Sequence, residues 1–355
     1  MKIDRRTTRT VKIGSVSLGS GHPVAIQSMC KFKTSDVSAC LRQIKGLEKA
    51  GCEIIRLAVK DNADAEALKN IKKHAKIPLV ADIHFNWRFA IIAIDSGADK
   101  IRLNPGNIHK LGEIREIVAA LKGARIPLRI GLNSGSVKDN PEKSMPDKLV
   151  ASALDYIKTI EKLKFYDLVI SLKANNVMDT VEAYRKIAGL CDYPLHLGVT
   201  ATGSPFAGAI KSTVAIGALL LEGIGDTIRV SLTDDPAREI EAARNILESL
   251  DLRRFGPQII SCPTCGRCDV DLVKIVKKLE IGLAGFSVSR KPVKPIKVAV
   301  MGCVVNGPGE ALEADIGVAF GKKEGMLFKN GKVVRKISYK DCVGVLLKET
   351  EKMYG

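Results

Sequence analysis

Closely spaced cysteines are the feature of this sequence that most directly suggests chemistry. The motif SCPTCGRC supplies Cys262, Cys265 and Cys268 at two-residue gaps. Farther along, the motif MGCVVNGPGE supplies Cys303 after an apolar run and ends on Glu310. Because the thiolate is the metal-binding form of cysteine, such groups are typical of zinc sites and of iron–sulfur clusters.

The spacing leaves both kinds of metal site open. Structural zinc takes four closed ligands, commonly from two separate CxxC pairs, and no separate second pair follows this motif. Three thiolates with one further ligand fit an iron–sulfur cluster that has one exchangeable corner. From spacing alone, Cys262, Cys265 and Cys268 are the expected thiolates, with Cys303 as the fourth ligand. An oxygen ligand would bind iron less compatibly than sulfur does, so that corner could open to a substrate.

Eight short segments rich in branched apolar residues alternate with amphipathic helical patterns through most of the chain. Strands that alternate with helices predict a parallel sheet, and eight such units predict an α/β fold of the (β/α)₈ TIM-barrel type. An open, doubly wound sheet is the competing fold, but no GxGxxG motif follows the first segment. The predicted strands cover residues 23–29, 54–59, 78–83, 100–105, 127–133, 168–174, 194–200 and 227–232.

Two further features organise the chain around this barrel. The segment VKIGSVSLGSG precedes the first predicted strand and has the pattern of a small hairpin, which we expect to plug the bottom of the barrel. Gly256-Pro257 then marks a boundary. We therefore predict a barrel domain over residues 1–256 and a second, smaller α/β domain, which carries the cysteine motifs, over residues 257–355.

Cationic residues recur in the predicted barrel strands. In four predicted strands an arginine precedes a branched apolar residue: Arg56, Arg102, Arg129 and Arg229. The sixth predicted strand adds Lys173. Active sites of TIM barrels lie where the strands end, at their C-terminal face. Unpaired charges are costly to bury, and the arginine fork matches phosphate oxygens. The convergence of five cations therefore predicts a site for a phosphate-rich anion.

Other polar side chains accompany these cations at the strand ends. Asp82 and His84 end the third strand in the motif ADIHF, and His84 beside a carboxylate is a candidate for proton transfer. Asn104 lies in NPGN, Asn133 in NSGS, and Ser231 in the eighth strand. We expect these polar side chains to line the same pocket.

Composition limits the class of protein. With 355 residues and 46% hydrophobic content, the chain is long and apolar enough for a full globular core. Nine cysteines without a secretory signal indicate a reducing cytoplasm. The net charge of +17 attracts polyanions, but aromatics are only 5%, so nucleic acid is not an expected partner. No apolar run approaches the roughly 18 residues of a membrane span.

Seven motifs occur in chain order along the sequence: ADIHF, IRLNPGN, RIGLNSGS, LHLGVT, GIGDTIRVSL, SCPTCGR and CVVNGPGEA. Together they resemble those of the bacterial 4-hydroxy-3-methylbut-2-enyl diphosphate synthase family of the non-mevalonate isoprenoid pathway. The resemblance implies a barrel followed by a small iron–sulfur domain similar to the cluster domains of sulfite and nitrite reductases. It also implies a [4Fe-4S] cluster on Cys262, Cys265 and Cys303, with Glu310 as the fourth ligand. Cys268 would then be a bystander, contrary to the spacing.

The resemblance also implies a reaction and partners. The enzyme would be an oxidoreductase that opens and dehydroxylates 2-C-methyl-D-erythritol 2,4-cyclodiphosphate, giving 4-hydroxy-3-methylbut-2-enyl diphosphate. A substrate oxygen would displace Glu310, and flavodoxin or ferredoxin would supply two electrons. The family acts as a homodimer in which one subunit's cluster domain covers the other's barrel. The implied substrate-binding residues are Arg56, Arg102, Arg129, Lys173, Arg229 and Ser231, to which we add Asn104 and Asn133.

The sequence departs from the family at three positions. Ala201 stands in HLGVTATG where many members have a glutamate of the active site, Cys30 replaces a usual threonine, and Asn86 replaces an aspartate. The missing glutamate leaves open which group handles protons. The remaining candidates are Asp82, His84 and Glu310.

Two other functions fit the residues alone. One is a barrel lyase or transferase that acts on another phosphorylated substrate and has a purely structural metal domain. The other is a basic zinc protein that binds nucleic acid. Metal content would distinguish them, because both alternatives allow a colourless, zinc-loaded protein, whereas an iron–sulfur enzyme is coloured.

Overall fold

A computed structural model describes residues 3–137, 144–200, 202–284, 286, 296–322 and 324–354. The chain divides into two compact units, Met1–Arg253 and Arg254–Gly355. The division lies close to the boundary predicted at Gly256-Pro257.

The first unit is built on a parallel eight-stranded sheet, preceded by a short hairpin. Its strands are β1 (Val11–Ile13), β2 (Val16–Leu18), β3 (Ala25–Met29), β4 (Ile54–Val59), β5 (Leu79–Ile83), β6 (Lys100–Leu103), β7 (Leu128–Asn133), β8 (Leu168–Lys173), β9 (His196–Leu197) and β10 (Thr227–Ile228). The sheet order is β8-β7-β6-β5-β4-β3-β10-β9. A bridge from Ile170 in β8 to Leu195, just before β9, joins the two ends of this order. The predicted (β/α)₈ barrel is confirmed.

A helix follows each barrel strand. Asp36, Asp61 and Asn176 each accept a hydrogen bond from a backbone N–H in the first turn of the helix that follows, which satisfies a donor that has no partner within the helix. None of the helices in the described ranges is long and apolar enough to cross a membrane. The helices are α1 (Val37–Ala50), α2 (Asn62–His74), α3 (Arg88–Asp95), α4 (Leu111–Ala124), α5 (Met145–Lys162), α6 (Val177–Ala188), α7 (Pro205–Leu221) and α8 (Pro236–Ser249), with a 3₁₀ turn at Ser134–Ser136.

The last two barrel strands are shorter than the sequence pattern predicts. The segments around His196 and Thr227 pair regularly over only two residues each. Directly after β9, a methyl group on Gly198 would lie 2.6 Å from Nζ of Lys173 and 2.6 Å from the carbonyl oxygen of Arg229. Regular strand pairing therefore ends where the backbone after β9 lies close to Lys173 and Arg229, two of the predicted cationic positions.

The predicted hairpin plugs the N-terminal end of the barrel. β1 and β2 pair antiparallel, and their buried side chains pack against residues at or next to the N-terminal ends of β3, β4, β5 and β8. This packing confirms the predicted hairpin and closes the lower end of the barrel with hydrocarbon. We call this cluster the apolar plug; its members are Val11, Ile13, Val16, Leu18, Ala25, Ile54, Val80 and Val169.

The second unit contains a five-stranded mixed sheet, β11-β12-β13-β14-β15. Its first three strands run parallel and its last three antiparallel. Two helices, α9 (Leu272–Leu283) and α11 (Cys342–Tyr354), bury apolar side chains against one hydrophobic core, and α10 (Gly307–Leu312) packs on the sheet. The strands are β11 (Gln258–Ser261), β12 (Lys297–Met301), β13 (Ile316–Phe320), β14 (Glu324–Lys329) and β15 (Lys332–Ser338).

The apolar plug should contribute measurably to the stability of the barrel. Ile13 is fully buried, so the substitution Ile13→Ala should lower the free energy of unfolding by about 2–5 kcal/mol in chemical denaturation. Lys12 is exposed on the same strand, and Lys12→Ala should change it by less than about 0.5 kcal/mol. Equal effects of the two substitutions would mean that the hairpin does not pack on the barrel.

Candidate active site

Asp82 is shared by three side chains at the C-terminal end of the barrel strands. It is 2% exposed, and its Oδ1 lies 3.0 Å from Nη1 of Arg102. Its Oδ2 lies 3.6 Å from Nε of Arg56 and 3.5 Å from Nε2 of His84. Three of the residues singled out in the sequence therefore meet at the buried carboxylate of a fourth, Asp82.

The surroundings of Asp82 make it a counter-ion. Burial raises its pKa, but Arg56, Arg102 and Arg129 lower it more, and the net pKa is about 2. Such a carboxylate is ionised at neutral pH and is a weak general base. Arg102 is held in place further by donating from Nη2 to the carbonyl oxygen of Gly131 at 2.7 Å.

A second buried carboxylate, Glu239, was not identified from the sequence. It lies in the first turn of α8, and its Oε2 is 3.9 Å from Nε of Arg229 and 3.3 Å from Oγ of Ser28. Its Oε1 accepts from the N–H of Leu232 at 3.0 Å and is 3.3 Å from Nζ of Lys31. An acidic residue in the first turn after a strand that carries an arginine is the signal that could have revealed it.

Positive charge at the mouth exceeds the carboxylate charge beside it. We call the five predicted cations the mouth cations; within the described parts of the chain, their ion pairs involve only Asp82 and Glu239. Arg129 is 1% exposed, and its Nε and Nη1 find no hydrogen-bond partner. Burial, followed by the neighbouring arginines, holds the pKa of Lys173 well below its usual range. The mouth is thus suited to an anion.

The mouth cations come from five strands. Alternation along each strand points every second side chain inward, and the register pairs Asp82 with Arg102 and Arg102 with Arg129. Burial lowers the pKa of Arg56 to about 9, despite Asp82, and Arg229 adds to the effect. Neighbouring guanidinium groups therefore destabilise one another until a negative charge arrives. The mouth cations are Arg56, Arg102, Arg129, Lys173 and Arg229.

The uncharged polar residues predicted to line the pocket form hydrogen bonds in and next to the loops that follow the strands. Oδ1 of Asn104 accepts from the N–H of Gly106 at 3.1 Å and from Oγ of Ser136 at 3.3 Å. The N–H of Asn133 lies 3.4 Å from the same hydroxyl oxygen. Ser231 is half-buried, and its carbonyl oxygen accepts from Oγ1 of Thr202. Asn104 therefore has a structural task in joining the loops after β6 and β7.

The three departures from the family pattern fall in different settings. Cys30 is buried, and its Sγ lies 3.4 Å from Sγ of Cys40. Asn86 accepts from the N–H of Arg88 through Oδ1 at 3.0 Å, at the start of α3. Ala201 lies outside the described residues.

Lys100, which belongs to a deeper group of polar side chains, was also missed by the sequence reasoning. Lys100 is fully buried in β6, and its Nζ lies 3.4 Å from Oε1 of Gln27 on β3. His196 on β9 is fully buried as well. Since Lys100 stands two residues before Arg102, strand alternation could have placed both in the barrel interior.

In the second unit, the two cysteine motifs lie at one edge of the sheet. β11 and β12 are parallel neighbours, with Ser261 opposite Val300, so the loops after them start side by side. The N–H of Gly302 donates to Sγ of Cys262 at 3.3 Å, and Cys303 is the next residue. The structure thus brings residues that are about 40 positions apart into one place.

Cys303 lies in a turn that favours its thiolate. Hydrogen bonds from the backbone N–H groups of Val305 and Asn306 lower the pKa of the thiol most. Glu310 is exposed in the first turn of α10, the helix that begins at Gly307 in the same motif. The carboxylate and the thiol are therefore carried by one short loop and helix.

The remaining two cysteines differ in their surroundings. Cys265 is exposed, whereas Cys268 packs against the core of the second unit and donates from Sγ to the carbonyl oxygen of Val270 at 3.2 Å. A methyl group on Gly302 would lie 2.3 Å from Sγ of Cys268, so the two segments touch. Among the described residues, no three His, Cys, Asp or Glu side chains converge closely enough to hold a single metal ion.

Solved structures that are similar to the chain share its barrel. A sialic acid synthetase from Leptospira borgpetersenii superposes with a TM-score of 0.50 and 12% identity, over 72% of this chain and 94% of that one. A dihydropteroate synthase from Coxiella burnetii also gives 0.50 at 12% identity, over 70% of this chain and 100% of that one. At such identity the likeness concerns the fold alone.

Relatives in sequence cover both units. Proteins named 4-hydroxy-3-methylbut-2-en-1-yl diphosphate synthase (flavodoxin) are 50% identical in Caldanaerobacter subterraneus, over 98% of both chains, and 49% identical in Fusobacterium nucleatum, over 98% of this chain and 97% of that one. The GcpE TIM-barrel domain model matches residues 8–244, and the GcpE C-terminal domain model matches residues 258–352. The resemblance inferred from the motifs is confirmed, and the chain belongs to the GcpE family.

Proposed function

We propose that this chain is an iron–sulfur oxidoreductase that converts 2-C-methyl-D-erythritol 2,4-cyclodiphosphate into 4-hydroxy-3-methylbut-2-enyl diphosphate. The observation that carries the proposal is the excess of buried positive charge at the barrel mouth of a chain from this family. Relatives that match this chain at about 50% identity over nearly their full length are named as synthases of this product, which supports the proposal. A barrel lyase or transferase would not require the cysteine edge of the second unit.

The reaction is balanced by two electrons and two protons. The ring opens as one carbon–oxygen bond to the diphosphate breaks, the diphosphate remains on the other end of the carbon chain, and one hydroxyl oxygen leaves as water. The protein must therefore bind a diphosphate at both stages, deliver electrons singly and supply protons.

The mouth cations would bind the diphosphate. Arginine forks form bidentate hydrogen bonds to phosphate oxygens, and these are strong where water is excluded. Arg129 and Lys173 are almost completely buried, so an arriving anion would meet them with little competition from solvent. Three uncharged residues would line the pocket: Asn104 after β6, Asn133 at the end of β7 and Ser231 after β10.

His84 is the proposed proton donor of the mouth. Its side chain is 35% exposed, and its Nε2 faces Oδ2 of Asp82, which orients the ring. Asp82 itself is committed to Arg56 and Arg102. The sequence made Asp82 a candidate acid or base, and we propose instead that it positions His84. Glu310, exposed at the other site, remains a second candidate.

The cysteine edge fits a [4Fe-4S] cluster held by Cys262, Cys265, Cys303 and Glu310. When bound, such a cluster supplies single-electron transfer and one iron whose ligand can be displaced. The lowered pKa of Cys303 favours the ligating thiolate, and Cys268 already has a partner in Val270. A carboxylate is a weaker partner for this cluster than a thiolate, so Glu310 is the ligand suited to leave.

The electron donor is proposed to be flavodoxin, with ferredoxin as the alternative. The names of the relatives include the word flavodoxin. From Ile259 onward the sequence has 17 Lys and Arg against 10 Asp and Glu, which favours an acidic carrier. As the family resemblance implies, we further propose a homodimer in the cytoplasm, in which the cluster of one subunit serves the barrel of the other.

Turnover tests the proposed function directly. Anaerobically purified protein should be coloured, contain about four irons per chain in keeping with the proposed cluster, and convert the cyclic diphosphate with reduced flavodoxin. Zinc-loaded, colourless protein without turnover would exclude the proposal.

The ligand assignment is tested by paired substitutions. Glu310→Ala should lower kcat by at least about 10-fold while thermal unfolding stays nearly unchanged, because Glu310 is exposed. Cys303→Ser should abolish the iron–sulfur absorbance, and Cys268→Ser should retain it. Loss of the absorbance in both cysteine variants would restore the assignment that spacing alone favours, and the opposite pattern for the two cysteines would contradict the proposed ligand set.

Gly131 should control the position of Arg102. A methyl group at Gly131 would lie 2.5 Å from Nε of Arg102, so Gly131→Ala should displace the guanidinium and raise KM by about 10-fold, the loss of one hydrogen bond to a charged group. Gly112→Ala in α4 meets no atom within 4 Å and should leave KM unchanged. An unchanged KM for Gly131→Ala would separate Arg102 from substrate binding.

Asp82 should make the barrel sensitive to acid. Its pKa is about 2 in the folded state and near 3.8 when unperturbed, so the ionised form stabilises the fold above about pH 4. That contribution, roughly 2 kcal/mol, should disappear as the pH falls through about 2. Asp82→Asn should remove this part of the pH dependence of unfolding. A variant with the wild-type acid profile would contradict the counter-ion role.

A further inference from the structure

The barrel interior contains a polar layer between the mouth and the apolar plug. Gln27, Lys100, Arg129 and His196 come from β3, β6, β7 and β9, and each is at most 1% exposed. We call these four residues the middle tier. Lys100 lies two residues before Arg102 on the inward face of β6, roughly 6.6 Å deeper. Burial, followed by the positive charge of Arg129, lowers the pKa of both Lys100 and His196, so these side chains are neighbours in the interior.

The middle tier has more donors than acceptors. Four buried nitrogens have no hydrogen-bond partner among the described residues: Nε2 of Gln27, Nε and Nη1 of Arg129, and Nε2 of His196. Within the same residues, Nζ of Lys100 meets Oε1 of Gln27 at 3.4 Å, and neither Lys100 nor Arg129 forms an ion pair with a carboxylate. Leaving such groups unpaired in the interior is costly.

A hydrogen-bond acceptor can reach the donors of the middle tier from one side of the tier, the barrel mouth. Below the tier, the apolar plug offers hydrocarbon from Ala25, Ile54, Val80 and Val169. Above it lie the mouth cations, and Arg129 belongs to both groups. A negatively charged ligand that enters at the mouth is therefore the partner of the right sign on the accessible side.

We propose that the middle tier is the inner half of the diphosphate site, in which Lys100 and Arg129 bind one phosphoryl group. This inference rests on the proposed function and assigns Lys100, Gln27 and His196 to substrate binding. Gln27 supplies an amide N–H. His196 has Nδ1 at 3.4 Å from Oγ1 of Thr227, so a neutral ring can accept there and donate from Nε2 to a phosphate oxygen.

Lys100→Met separates ligand binding from folding. Burial holds the pKa of the Lys100 amine well below its usual range, so its charged form is disfavoured in the free protein. The substitution removes this buried amine, which has no counter-ion among the described residues, and keeps a long apolar stem, so the melting temperature of the free protein should stay equal or rise. The dissociation constants for inorganic pyrophosphate and for the cyclic diphosphate should rise about 10-fold or more, with smaller ligand-induced shifts in melting temperature. Lys69→Met, at an exposed position in α2, should change neither. Lys100→Gln provides a second neutral variant of the same position.

The outcomes distinguish this inference from the function on which it rests. If the wild type binds the cyclic diphosphate and Lys100→Met binds it equally well, the middle tier is not a ligand site. A free variant that melts lower, with unchanged affinity, would make Lys100 a structural residue and overturn the inference. If the wild type binds pyrophosphate through Lys100 but not the cyclic diphosphate, the proposed substrate is wrong and the tier remains an anion site.

Discussion

Positive charge held inside the barrel by too few carboxylates is the constraint on which the rest of the molecule depends. Asp82 pairs with Arg56 and Arg102, and Glu239 approaches Arg229, but Arg129 has no such partner among the described residues. Each unpaired cation costs stability, so the fold must supply that stability elsewhere. A site arranged in this way binds a polyanion by relieving its own repulsion, and its affinity is built into the folded state.

The barrel supplies the required stability in the layers around the charge. The apolar plug closes one end with hydrocarbon, and the helices bury the outer faces of the strands. Polar side chains that face inward are thereby restricted to the upper part of the barrel. The two carboxylates are positioned differently: Asp82 belongs to a strand, whereas Glu239 reaches in from the first turn of α8. A helix that follows its strand can thus neutralise a charge which no neighbouring strand reaches.

Much of this arrangement could be predicted because strands and helices leave periodic patterns. The eight strands and the inward arginines follow from apolar runs interrupted by cations, and the hairpin follows from its turn. Glu239 is harder to find, since a glutamate in the first turn of a helix usually faces solvent and only its place after an arginine-bearing strand indicates otherwise. For Lys100, strand alternation with Arg102 indicates an inward position, but its contact with Gln27 across the barrel cannot be predicted from the sequence. Such contacts between distant residues leave no local signal.

The same electrostatics bear on how protons reach the substrate. Asp82 carries a full negative charge at neutral pH because the arginines hold it ionised, so it cannot take a proton without weakening both ion pairs. The glutamate that the family resemblance implies for the motif HLGVTATG is Ala201 in this sequence. His84 touches Asp82 and is partly exposed to solvent, so it can exchange protons with water while one carboxylate fixes its orientation. The ring therefore lies where a proton taken from solvent can be passed to a substrate bound at the mouth.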